Sequence, residues 1–469
     1  MPESTGLIPC ALAPESLAVW AGGVWRGMPG PITGVSNDTR TLRPGDLFFA
    51  LRGEGADGHD FVAAALAAGA SAAVVAAGRL NPLPAGACLE VDDPAAALRR
   101  MAAGYRRALD PLMVGVTGSV GKTTVKEMIA EVLASEAPVA RTRGNWNNDL
   151  GLPLSLLAMP AATRIGVFEI GMNHPGELAP LCRLLQPDWG VVTRIGPVHL
   201  EFFESVEAIA REKAVLLQSL PADGLAILNT GDPYFPILRD AAAARVATVA
   251  VGRAADYAAV IPDPGGRLEM EERGGRRYAV RVPLPGRHNA ENALLALAAG
   301  RERGLSPEAI QAALARVRPP PMRWEASDFG GIRLVNDAYN ANPMSMRAAL
   351  LAFAAEPVPG RRWLVLAGMR ELGHAEAAEH ETLGREVASG AWAGLVTVGA
   401  RGRLIAEAAR AAGMDPGRVA ACPDHAAAAA ELSRRVRPGD AVLFKASRGE
   451  RLETVLAFWR GAATREKSA

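Results

Sequence analysis

Two patterns of apolar residues alternate along this chain. Short unbroken apolar runs stand at residues 114–117, 164–171, 189–196 and 225–229, and again at 334–337, 363–367, 395–399 and 441–445. Runs of that length bounded by Gly, Pro or Asp predict strands buried on both faces. Between them lie longer stretches with helical spacing. After the first run, Val125, Met128, Ile129, Val132 and Leu133 recur on one helical face. Residues 207–217 predict a second helix, which carries Lys213. Strands alternating with helices predict an α/β fold with mainly parallel sheets covered on both sides. Residues 61–78 carry no charge and are long enough to suggest a membrane span. They are mostly Ala and Gly, so a helix ending near Gly69 and a strand at 71–75 is the better reading.

Length changes the picture from one core to several. A chain of 469 residues suggests about three domains. The run Val317-Arg318-Pro319-Pro320-Pro321 breaks helices and marks one boundary. The expected units are residues 1–107, 108–317 and 318–469. A net charge of +1 argues against a nucleic-acid or lipid surface as the main partner. Cys10, Cys88, Cys182 and Cys422 lack metal-ligand spacing and are expected to be buried thiols of a reducing compartment. The first residues show no basic segment followed by an apolar run, so no signal peptide is expected and the chain reads as cytoplasmic.

Chemistry enters at the first strand–helix junction, Thr117-Gly118-Ser119-Val120-Gly121-Lys122-Thr123-Thr124. Gly118 and Gly121 let backbone amides approach a phosphate, and the helix N-terminus adds partial positive charge. Lys122 can reach the outer phosphates, and the Thr123 hydroxyl suits Mg2+. The usual phosphate loop has four residues between its glycines, whereas Gly118 and Gly121 are separated by two. ATP is the expected ligand. Glu169 ends the second run, at a strand end where open α/β sheets place ligands, and is a candidate Mg2+ ligand. The bland alternative is a charged strand end, and a lone Lys213 on a helix is by itself a solvated side chain. Asn145, Asn147 and Asn148 crowd one loop, suited either to a polar substrate or to turns. Gly286-Arg287-His288-Asn289-Ala290-Glu291-Asn292 opens a helix, with Asn289 as a possible N-cap. Near the N-terminus, Ser36-Asn37-Asp38-Thr39-Arg40 and Asp57-Gly58-His59 flank a Pro44-Gly45 turn and an apolar strand. Arg40 and His59 are weak candidates for an anionic ligand. Asp337-Ala338-Tyr339-Asn340-Ala341-Asn342-Pro343 is a polar exit from a predicted strand.

These segments together resemble the Mur ligases, the ATP-dependent amino-acid ligases of peptidoglycan synthesis, over nearly the whole chain. The resemblance includes the shortened phosphate loop at 117–124. Three further stretches are similar to the type that joins D-alanyl-D-alanine to UDP-N-acetylmuramoyl-tripeptide: 337–346, 169–177, and the Asp-Thr-Arg to Asp-Gly-His pattern of 38–59. The resemblance implies a central ATP-binding unit flanked by an N-terminal unit for the UDP end of the substrate and a Rossmann-like C-terminal unit. It implies ATP and Mg2+ as cofactors and a monomer as the working form. It assigns Gly118, Ser119, Gly121, Lys122, Thr123 and Thr124 to phosphate, and Thr123, Glu169, His199 and a carbamylated Lys213 to Mg2+. Lys122, Lys213, His199 and Glu169 would be the catalytic set. His288, Asn289 and Asn292 would face adenine, and Arg323 and Asp337 would close over ATP from the last domain. Thr39, Arg40, Asn145, Asn147, Asn148, Tyr339, Asn340 and Asn342 would contact the other substrates. The chain departs from the family's Leu-Gly-Asp-Met-x-Glu-Leu-Gly at Gly368 and from Lys-Gly-Ser-Arg at Ala446. Other readings are a folylpolyglutamate synthase, the ligase adding the third peptide residue, and a P-loop ATPase that ligates nothing. The Tyr339-Asn340-Ala341-Asn342-Pro343 segment speaks against the first two, and Glu169, His199 and Lys213 against the last.

Overall fold

The computed structural model describes residues 12–53, 55–260, 266–282 and 284–466. Cys10 lies outside them, while Cys88, Cys182 and Cys422 are buried and free, as the spacing implied. Among the described residues the strands form three sheets. The first joins β1 (Val24–Arg26), β2 (Gly34–Ser36), β3 (Asp46–Phe49), β4 (Ala72–Ala76) and β5 (Cys88–Val91) in the order β1-β5-β4-β3-β2. Only the β1–β5 pair is antiparallel.

The central sheet contains β6 (Leu112–Thr117), β7 (Val139–Arg141), β8 (Ile165–Glu169), β9 (Trp189–Val192), β10 (Leu225–Asn229), β11 (Arg245–Val251), β12 (Tyr257–Ala259), β13 (Arg267–Glu272) and β14 (Arg277–Arg281). Its order is β14-β13-β12-β11-β10-β9-β6-β8-β7. It is parallel from β7 to β12, and β13 and β14 add an antiparallel hairpin at one edge. β6 lies between β8 and β9, with Val116 opposite Glu169 of β8 and Val191 of β9. Helix Lys122–Leu133 leaves β6 and buries Val125, Met128, Ile129, Val132 and Leu133, the face its spacing predicted. It packs on helix Arg287–Glu302.

The last sheet contains β15 (Glu325–Phe329), β16 (Ile332–Asn336), β17 (Arg362–Leu366), β18 (Gly394–Val398), β19 (Val419–Cys422) and β20 (Ala441–Lys445), in the order β15-β16-β20-β17-β18-β19. Alternate residues of β17 enter separate cores, Leu364 and Leu366 on one face and Trp363 and Val365 on the other. A sheet covered on both faces explains why these strands read as continuous apolar runs.

Helix Pro94–Leu109 runs through position 107 and ties the first sheet to the second. One apolar core continues from Leu47, Phe49 and Leu89 through Leu98, Met101 and Tyr105 to Leu152, Leu156, Leu181 and Leu185. The Tyr105 hydroxyl donates to the Met159 carbonyl at 2.6 Å, and Arg106 donates to the carbonyls of Leu185 and Gln186. The N-terminal and central units are thus joined by packing as well as by chain. At the other junction, helix Pro307–Arg316 ends before the proline run, and β15 begins at Glu325.

Candidate active site

The phosphate loop is built by two glycines that no other residue replaces easily. Gly118 has φ +148° and Gly121 φ +86°, both in the range L side chains avoid. A Cβ on Gly118 would lie 2.0 Å from Thr193 Oγ1 and 3.1 Å from the Thr193 amide nitrogen. On Gly121 it would lie 2.6 Å from Asn292 Oδ1. The loop is also held by its neighbours. The Thr193 hydroxyl donates to the Val120 carbonyl at 2.5 Å, and the Ser119 hydroxyl exchanges hydrogen bonds with the backbone of Gly196 at 3.0 Å. The Lys122 ammonium folds back to the Gly118 carbonyl at 2.8 Å. Burial lowers its pKa; Glu169 opposes that shift and Arg323, from the last domain, adds to it. The first-turn amides of helix Lys122–Leu133 lack intrahelical acceptors by construction and suit an anion.

Behind the loop, the Thr123 hydroxyl donates to Glu169 Oε2 at 2.7 Å. Asn147 Nδ2 donates to the other oxygen, Oε1, at 2.8 Å. Glu169 is buried at the end of β8. Lys213 is buried as well, with 1% of its surface exposed. Burial first, then the charge of Lys122, push its pKa well down, against the pull of Glu212 and Glu169. A second buried lysine, Lys126, gives the contrast: its ammonium is paired with Glu127 and bonded to the Thr142 carbonyl, whereas Lys213 has no such partner among the described residues. Helix Val206–Gln218 turns Ile209, Ala210, Lys213, Ala214, Leu216 and Leu217 inward. The solvated-lysine reading is corrected: Lys213, four residues from Ile209 and three from Leu216, shares their buried face, a spacing that could have signalled it. His199 Nδ1 lies 2.5 Å from Glu371 Oε2 of the last domain.

A hydroxyl beside a carboxylate is the hard oxygen donor pair that Mg2+ takes. Among the described residues no three His, Cys, Asp or Glu side chains cluster as a metal site. The bonded Thr123 hydroxyl and Glu169 carboxylate fit Mg2+ as neighbouring oxygen donors.

A cleft of about 1280 Å³ opens between the central and last domains. Ser119, Gly121, Lys122, Thr123, Thr124, His288, Asn289 and Asn292 line one wall; Arg323, Asp337, Tyr339, Asn340 and Asn342 line the other. The Arg323 guanidinium stacks over Tyr339, 4.3 Å from the ring centre. Asp337 accepts from Lys445 Nζ at 2.6 Å and from the Trp324 amide at 3.1 Å. Desolvation pushes His288 down to about 4; Asp337 raises it and Lys445 lowers it. Asn289 is not an N-cap: Gly286 holds that position, and Asn289 Nδ2 bonds the Pro285 carbonyl at 2.7 Å. Asn342 has a structural task, a capping box with Ser345 at the start of helix Pro343–Ala355.

The remaining expected residues lie elsewhere. Asn148 closes a turn by accepting from the Gly151 amide at 2.8 Å, and Asn145 is exposed. Gly118, Glu169, His199 and Lys213 lie outside the cleft lining, as do Asn145, Asn147 and Asn148. Thr39 and Arg40 are on the N-terminal unit, away from this cleft, and Arg40 pairs with Asp38 at 2.6 Å. His59 is corrected to a structural residue: it is buried, with Nδ1 2.6 Å from Asp57 and Nε2 accepting from the Ala76 amide. The sequence reading passed over Thr193 and Arg194, and took Glu371 and Lys445 only as members of two motifs expected near the peptide. Lys445 ends β20, and the rule that ligands gather at strand C-termini could have found it. At the departure from the family motif, a Cβ on Gly368 would lie 2.6 Å from Arg401 Cδ, so Arg401 occupies the space a side chain would need.

Comparison with known proteins gives the family. The Mur ligase family catalytic domain matches residues 31–106, the Mur ligase middle domain 116–300, and the Mur ligase glutamate ligase domain 322–448. The UDP-N-acetylmuramoyl-tripeptide–D-alanyl-D-alanine ligase of Bacillus subtilis (strain 168) is 37% identical over 433 residues, covering 91% of this chain and 92% of the relative. The Escherichia coli (strain K12) ligase of the same name is 35% identical, covering 80% and 83%. A crystal structure of MurF from Acinetobacter baumannii superposes with a TM-score of 0.83 at 30% identity, over 95% of this chain and 98% of that one. A MurF structure from Thermotoga maritima in complex with ADP gives 0.78 at 27% identity, over 93% and 98%. A folylpolyglutamate synthase from Mycobacterium tuberculosis, 18% identical with a TM-score of 0.60, shares the fold. With three matched domains and relatives of one type along its length, the chain belongs to the Mur ligase family, and within it to the MurF type.

Proposed function

We propose that this chain joins D-alanyl-D-alanine to UDP-N-acetylmuramoyl-tripeptide at the expense of ATP, in peptidoglycan precursor synthesis. The observation that carries the reading is the phosphate loop with Thr123 bonded to Glu169, beside a cleft walled on its far side by Arg323, Asp337 and Lys445. In this reading the terminal carboxylate of the tripeptide attacks the γ-phosphorus, giving an acyl phosphate and ADP. The dipeptide amine then attacks the acyl carbon, loses a proton, and inorganic phosphate leaves. Phosphoryl transfer depends on position and charge neutralisation. Lys122 and the loop amides hold the phosphates, and His288, Asn289 and Asn292 border the base. Arg323 and Asp337 approach the nucleotide from the last domain. Asn147 orients Glu169. Tyr339 and Asn340 on the far wall, with Asn145 and Asn148 of the loop that carries Asn147, meet the peptide and muramoyl parts. Thr39 and Arg40 meet the UDP end.

Thr123, Glu169, His199 and Lys213 would hold Mg2+, which supplies charge neutralisation at the phosphates. Lys213 is suited to carbamylation, because burial disfavours its charged form and the neutral amine is the form that attacks CO2. The product carbamate is an anion with two oxygens. The working form in this reading is a monomer. Among the described residues no helix is long and apolar enough to cross a membrane; soluble, nucleotide-linked substrates suit a cytoplasmic enzyme. The test is phosphate release from ATP and Mg2+ with the tripeptide substrate, with and without D-alanyl-D-alanine, followed by product mass. Release that depends on the dipeptide, with product heavier by one dipeptide less water, is expected. Hydrolysis indifferent to any acceptor amine would overturn the reading.

A further inference from the structure

His199 and Glu371 are 172 residues apart in sequence and meet between the central and last domains. Nδ1 lies 2.5 Å from the Glu371 carboxylate. Both residues hold left-handed backbone, φ +55° at His199 and +62° at Glu371, uncommon for residues with a Cβ. Each loop is shaped to deliver its side chain. The amides of Phe202 and Phe203 both donate to the His199 carbonyl, at 2.9 and 3.2 Å. The Glu201 amide donates to the Glu371 carbonyl at 3.4 Å, so a backbone bond joins the two loops beside the side-chain pair. Gly373 passes so close to Glu201 that a Cβ there would be 3.0 Å from the Glu201 Cα. The approach is therefore backbone to backbone.

The bond constrains the imidazole. The Glu371 carboxylate is an acceptor, so the hydrogen shared across the 2.5 Å contact comes from the imidazole. The shared proton is then on Nδ1, and in the neutral ring the lone pair is on Nε2. Metal-binding histidines commonly use such a carboxylate on the nitrogen away from the metal. We infer that Glu371 is a positioning residue: it fixes His199 with its proton on Nδ1 and presents Nε2 to the nucleotide-linked divalent cation. Since Glu371 belongs to the last domain, His199 is set only when that domain is docked. This couples cation affinity to docking without any residue of the last domain touching the cation. The inference rests on the proposed role of His199 as a cation ligand.

The test uses the full chain and two readouts. Side-chain 15N NMR of metal-free protein separates the seven histidines, and His199→Gln identifies the signal. The intact protein should show a protonated Nδ1 and bare Nε2. Glu371→Ala should return the ring to a mixture of tautomers, and Glu371→Gln should keep the Nδ1 proton because the amide oxygen still accepts. Mn2+ binding in the presence of ADP, followed by electron paramagnetic resonance, should weaken about 10- to 100-fold in Glu371→Ala and less in Glu371→Gln. An unchanged tautomer in Glu371→Ala, or unchanged Mn2+ affinity there while His199→Gln weakens it, overturns the inference and leaves His199 as ligand. Unchanged Mn2+ affinity in His199→Gln removes the ligand role itself and the inference with it.

Discussion

Acid should destabilise this protein through His288, and the magnitude follows from its site. The side chain stands in the first turn of helix Arg287–Glu302, facing Asp337 and Lys445 of the last domain, and desolvation holds its pKa at about 4. An unfolded histidine titrates near 6.5. Between those values the unfolded chain binds a proton that the folded chain refuses, so stability falls as pH falls. Above about pH 7.5 the group contributes nothing to the pH dependence. The full span, about 2.5 pH units at about 1.4 kcal/mol per unit, amounts to roughly 3 kcal/mol, of which about 2.5 kcal/mol is lost by pH 4.5. Paired carboxylates such as Asp38, held at about 2 by its bonds to Arg40, lose stability in the same direction only at lower pH. His288→Gln isolates the histidine, since glutamine is neutral throughout. Urea unfolding at pH 7.5, 6.5, 5.5 and 4.5 should show the unaltered protein losing about 2 to 3 kcal/mol more than the variant across the series. Parallel stability curves, or a His288 Cε1 proton that titrates near 6.5 in the folded protein, would refute the reasoning.

Three other outcomes follow from the geometry. Gly118→Ala puts a methyl 2.0 Å from Thr193 Oγ1 at φ +148°, so nucleotide affinity by calorimetry should drop at least tenfold; adding Thr193→Ala should recover only part, because the backbone strain of about 1–3 kcal/mol remains. Tyr105→Phe removes a buried bond to the Met159 carbonyl and should cost about 1–2 kcal/mol, with the N-terminal and central units still melting in one calorimetric transition; two separated transitions in the unaltered protein would contradict the shared core. With 13C-bicarbonate, the protein should give a carbamate NMR signal that Lys213→Ala lacks, together with loss of nearly all turnover. A fully active Lys213→Ala would end the assigned role.

What the chain determines locally is what short-range spacing can carry. β10 and β20 fall where the apolar runs stand, and β16, β17 and β18 fall within two residues of them, because strands buried on both faces need no partner to be recognised. The phosphate loop was legible for the same reason: strand, glycines, Lys122 and Thr123 are contiguous, and the helix that follows them aims its own amides. β13 and β14 were not anticipated. In β13, Leu268 and Met270 alternate with Arg267, Glu269 and Glu271, and such a hairpin acquires a buried face only once β12 and a helix cover it. Lys213 read along the chain as a solvated side chain, and its burial on the inner face of its helix, with no counterion among the described residues, depends on the sheet beneath. The shared core at helix Pro94–Leu109 and the cleft itself are products of packing between units. So is the meeting of His199 with Glu371, since a bond between residues 172 positions apart exists only when two separately folded sheets present their loops to each other. Local chemistry named the phosphate-binding residues, and tertiary structure decided which side chains are desolvated, paired or left free around them, because burial and charge proximity are properties of surfaces brought together.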